Sequence, residues 1–163
     1  MLARGETGSD LVRGLFHAAM SIYLDRSLNI PRAQLPSEQP LENLPTAANE
    51  LRKAMLSALD RRTEWSEVPR LVVRYLRLGH AEPKLTDTLT FASVREDLDF
   101  HSLQVLEACF TQAEEWPPAS AERELLCAAI CRHLAAQCPT RRSSSQSVAV
   151  ALRLQKGEEV YAD

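Results

Sequence analysis

The stretch Arg95-Glu96-Asp97-Leu98-Asp99-Phe100-His101, followed by Gln104 and Glu107, concentrates carboxylates beside a histidine where a helical pattern begins. On one continuous helix Asp97 and His101, four residues apart, fall on neighbouring turns, where the carboxylate fixes the imidazole tautomer and raises its basicity. An acid–base or metal-binding histidine is commonly supported in this way. His101, Asp97 and Glu107 are therefore the candidate catalytic residues. The pattern also has a purely architectural reading. His101 lies in line with Val105, Ala108 and Cys109, as a half-buried histidine held by a capping aspartate would, and acids at a helix start complement its dipole.

Histidines 17, 80, 101 and 133 come from different predicted elements, an arrangement that suits a metal held between helices. His17, His80 and His101 are the candidate ligands. Neither the Glu-x-x-His pairs of carboxylate-bridged di-iron bundles nor His-Glu-x-x-His occurs. Cys127, Cys131 and Cys138, with His133 among them, could form a thiolate-rich site, but their spacing matches no common zinc or iron–sulfur pattern, and buried cysteine is an ordinary small hydrophobe. Arg70, Arg74 and Arg77 follow each other at i, i+4 and i+7, just after Arg61 and Arg62. That stripe would suit phosphate or an acidic partner, or equally a solvated face; the interleaved aromatics of a nucleic-acid platform are missing. With five glycines and no phosphate loop, nucleophile elbow or dinucleotide fingerprint, nucleotide-dependent and serine-nucleophile chemistry are not expected, and no cofactor is specified.

The elements that must position these residues all read as helices. Ser9 or Asp10 can cap a first helix to about Arg26, with one broad apolar stripe through Leu11, Leu15, Ala19 and Ile22 and through Val12, Phe16 and Tyr23. Pro31, Pro36, Pro40 and Pro45 then predict an extended connector over about 30–45. A second helix is expected over about 46–62 with Thr46 as its cap, and a third over about 66–78, closed by Gly79. Pro83 opens a fourth, and the short link predicts that the third and fourth pack as an antiparallel hairpin. Asp97 or Asp99 caps a fifth helix reaching Trp116. Ser120 starts a sixth that stops before Pro139, and Ser143 with Gln146 has the spacing of a capping box for a seventh ending near Gly157. The expected fold is all-α, an irregular antiparallel bundle of about six or seven helices in one domain.

Composition agrees with a globular chain: 163 residues, 45% hydrophobic and 25% charged, with a net charge of −3. This balance gives no global attraction for nucleic acid. Residues 1–10 hold no signal-type apolar run, no stretch approaches the length of a membrane span, and the four cysteines do not form a disulfide framework. A cytoplasmic protein is expected.

Leu78-Gly79-His80 and the run from Arg95 to Ala108 resemble segments of questin-oxidase-like proteins and of the helical regions found beside Rieske iron–sulfur domains. Phe16-His17-Ala18-Ala19-Met20 and the region from Arg132 to Tyr161 are compatible with such a helical region. The resemblance implies a bacterial helical domain linked to redox metabolism, with His101 and its acidic neighbours as the positions to watch. The chain lacks the paired Cys-x-His motifs of a Rieske cluster, so any such cluster would belong to another protein or domain. The reading that follows is an accessory or interaction domain with a protein partner, a redox protein being the expected kind. The alternative is an oxidoreductase whose site is lined by His17, His80, His101 and Glu107 and binds a metal or a small aromatic substrate. A phosphate or nucleic-acid binder built on Arg70, Arg74 and Arg77 ranks third.

Overall fold

The computed structural model describes residues 8–27, 34–36, 39–61 and 65–159, with residue 26 described by its backbone alone. Seven helices and no strand occur among them: α1 (Ser9–Ser27), α2 (Ala48–Leu59), α3 (Glu67–Arg77), α4 (Glu82–Val94), α5 (Phe100–Glu114), α6 (Ala121–Gln137) and α7 (Ser143–Gln155). The fold is an all-α helical bundle. None of the described helices is long and apolar enough to cross a membrane. Arg62, Pro31 and Tyr161, singled out above, lie outside the described residues.

The residues divide into two compact units, Met1–Leu35 and Pro36–Asp163. The first contains α1. Val12, Leu15, Phe16, Met20 and Tyr23 fall at i, i+3, i+4, i+8 and i+11, one face of a 3.6-residue helix, and all five are exposed.

In the second unit α3 and α6 occupy the centre. Val68, Leu71, Val72, Val73 and Tyr75 of α3 are buried, as are Ile130, Cys131 and Leu134 of α6, and burying each Leu- or Val-sized side chain contributes about 1.5–3 kcal/mol. α3 packs on α6 and α2, α5 packs on α6, and α2 also meets α4. The expected α3–α4 hairpin is thus not a principal pairing. α3 buries most of its circumference, so its neighbours are the helices that bring complementary apolar faces rather than the next one along the chain.

Leu41, from the proline-rich segment, is buried with Val73 and Ala128. Arg70 Nη2 donates to the Pro40 carbonyl and to Asn43 Oδ1. The described part of the connector from Gln39 therefore lies over its own unit, fastened by one apolar anchor and one arginine.

Candidate functional site

Each charged residue of the 95–99 turn has a structural partner. Arg95 Nη2 donates to Asp60 Oδ1 at 2.7 Å, joining the turn to the end of α2. Glu96, whose side chain is fully enclosed, accepts from the Thr140 amide and hydroxyl through Oε2, each at 2.8 Å, and from Arg142 Nε and Nη2 through Oε1, at 2.9 and 2.7 Å. Arg142 Nη2 also donates to Asp60. Burial alone would raise the Glu96 carboxyl, but the hydrogen bonds from Arg142 and Thr140 outweigh it and hold the carboxyl below its ordinary range.

Asp97 closes the same joint from the exposed side. Its two oxygens accept from the Ser143 and Ser144 amides at 2.6 and 2.9 Å, and these bonds hold its carboxyl below the ordinary value. Asp99 is the cap of α5, accepting from the Ser102 amide at 2.7 Å.

The helix begins at Phe100, so Asp97 lies before it and the four-residue spacing to His101 does not act on one helix. No hydrogen bond joins the two among the described residues. His101 is exposed, with its ring 6.0 Å from that of Phe100. The acid that feels it is Asp99, lowered chiefly by the Ser102 bonds and further by the charges of His101 and His133. Glu107 is exposed and accepts from Thr111 Oγ1 at 3.1 Å.

The candidate metal ligands are distributed likewise. His80 Nε2 lies 2.8 Å from the Thr46 carbonyl and its ring leans on Tyr75 at 4.9 Å, which ties the α3–α4 link to the segment before α2. His17 is exposed on α1, in the first unit. Among the described residues no group of three or more His, Cys, Asp or Glu side chains is arranged to hold a metal ion. Cys127, Cys131 and Cys138 are buried. Burial pushes the Cys127 and Cys138 thiols up to about 11 and that of Cys131 well above its ordinary value, so they pack as neutral groups.

Two of the three stripe arginines are occupied. Arg70 holds the connector, and Arg77 makes a two-pronged bond to Glu124 on α6 at 2.8 Å for each prong. Sequence reasoning missed Arg123, which donates to Glu82 at 2.7 Å and to the Trp116 carbonyl at 2.9 Å. It also missed Arg142 as the counter-ion of Glu96. No local spacing connects residues 41 or 46 apart, so neither pairing carries a sequence signal.

One open cleft of about 580 Å3 is lined by Trp65, Arg132 and residues 135–139 at the end of α6. Another of about 270 Å3 lies between α4 and α5, beside Pro83, Phe110 and Cys127. Neither is lined by His80, His101 or Glu107.

Large apolar side chains are instead displayed on helix faces. α7 buries none of its residues, and Val148, Leu152 and Leu154 are exposed, as are Phe16, Met20, Ile22 and Tyr23 on α1. Compared with protein-family models, curated proteins and solved structures, the chain matches none of them.

Proposed function

We propose that this chain is a helical accessory domain that docks its exposed helix faces on a protein partner in a redox system. The observation that carries this reading is α7, a 13-residue helix with no buried side chain, whose Val148 and Leu152 present an i, i+4 pair to the outside. α1 adds a second apolar stripe. Solitary surface hydrophobics are common, but clusters of this kind mark interaction faces, and an amphipathic helix laid in a groove is read through such anchors. The redox setting rests on the resemblance of Leu78–His80 and Arg95–Ala108 to questin-oxidase-like and Rieske-associated helical regions.

The oxidoreductase reading draws less support. Asp97 commits both oxygens to α7 and His80 is bonded to a carbonyl, which leaves His101 and Glu107 without an enclosed site around them.

Isothermal titration against a purified Rieske-type [2Fe–2S] protein tests the proposal. The expected result is saturable binding that Phe16→Glu with Tyr23→Glu, or Leu152→Glu, weakens at least tenfold, about 1.4 kcal/mol. All three positions are exposed, so the variants keep the fold. No binding, or binding indifferent to these changes, overturns the proposal.

A further inference from the structure

We propose that the cleft at the carbonyl end of α6 binds a small zwitterion of the α-amino-acid class, its carboxylate on Arg132 and its ammonium on the carbonyl groups that end the helix. The cleft lies within one unit, and its volume of about 580 Å3 falls in the range of small-molecule sites.

Arg132 supplies the first half of the recognition. Its guanidinium carbon sits 4.5 Å from the Trp65 ring centroid, and no hydrogen bond or ion pair reaches the group among the described residues. Arg77, Arg95, Arg123 and Arg142 each have a carboxylate; Arg132 has an indole instead. The cation–π contact holds the guanidinium against the ring and leaves its donors free for a two-pronged bond with a carboxylate.

The end of α6 supplies the second half. The Cys138 amide donates to Leu134 at 2.9 Å, Pro139 has no N–H to give, and the Thr140 amide is drawn away to Glu96. The carbonyls of Ala135, Ala136 and Gln137 therefore receive no hydrogen bond among the described residues. They form the negative end of the helix dipole, and an ammonium brings three donors to such a group.

Arg132 and Ala136, four positions apart on α6, both line the cleft, so one small ligand faces the guanidinium and the helix end together. A simple anion would meet the carbonyl end unfavourably, and a simple cation would meet Arg132. The indole, Ala135, Pro139 and the neutral thiol of Cys138 offer the apolar wall for a side chain.

The test uses the full chain carrying Trp116→Phe, which leaves Trp65 as the sole tryptophan of the two. Its fluorescence is titrated with L-leucine, with isovalerate, which lacks the ammonium, and with isoamylamine, which lacks the carboxylate. A saturable response to L-leucine is expected, with a dissociation constant on the order of 1 mM for a ligand of this size. The other two probes should bind at least tenfold more weakly. Arg132→Gln should lose the L-leucine response, measured by calorimetry as well as fluorescence, with its circular dichroism unchanged. No saturable response to L-leucine, equal binding of isovalerate, or an unaffected Arg132→Gln variant overturns the proposal.

Discussion

Glu96, a neighbour of the candidate catalytic residues in the acidic run, has an architectural task. Its side chain is enclosed and four donor groups converge on it from Thr140 and Arg142. Glu96→Ala is expected to destabilise the second unit by about 2–3 kcal/mol, because charge-assisted hydrogen bonds are lost, the Thr140 amide is left without its acceptor and Arg142 keeps only Asp60; urea unfolding measures it. The pH dependence has a definite sign. The folded-state carboxyl titrates below its ordinary value of 4.5, so its contribution is present above that pH and is lost as the pH falls through the lowered folded value. Thermal unfolding followed from pH 6 to pH 3 should show a steeper loss of stability for the wild type than for Glu96→Ala, and parallel curves would refute this role. The acidic run was legible as a place where charges matter. Its purpose was not, because Asp60, Thr140 and Arg142 come from distant parts of the chain.

At the scale of elements, α7 is held by its first turn. Asp97 caps it through the Ser143 and Ser144 amides, while Arg142 enters with a left-handed backbone, φ 55°, a conformation that costs about 1–2 kcal/mol in a non-glycine residue and is held by the bonds to Glu96 and Asp60. Asp97→Ala should therefore loosen α7 more than the rest of the bundle. Amide exchange in residues 143–155 is expected to accelerate at least tenfold while α3 and α6 remain protected; uniform acceleration, or none, would count against the joint. Six or seven helices were readable from apolar periodicity, prolines and Gly79; Ser120 caps α6 as its position suggested, and of the two aspartates open for α5 it is Asp99 that caps. Other caps were not readable. Thr46 is bonded to His80 through its carbonyl, and the Ser143–Gln146 box is replaced by an aspartate from another element, Gln146 turning to the Arg141 carbonyl. A local rule cannot anticipate a distant donor or acceptor that offers a better bond. The helix pairing escaped for a related reason: α3, buried around most of its surface, is shared by α2 and α6 and not reserved for its neighbour α4.

Across the molecule, polar groups fasten the helices of the second unit together and apolar groups are left on show at α1 and α7. Arg77–Glu124, Arg123–Glu82 and the Asp60–Arg95–Glu96–Arg142 network tie elements that the core already packs, whereas Phe16, Tyr23, Val148 and Leu152 contribute exposed apolar surface. This division supports docking over chemistry at His101. Amide hydrogen exchange along the whole chain, with and without a Rieske-type [2Fe–2S] protein under conditions where the two bind, tests it most directly. The account predicts new protection within residues 12–24 and 148–154, with α5 around His101 unchanged. Protection centred on residues 100–107, with α1 and α7 unaffected, would contradict it.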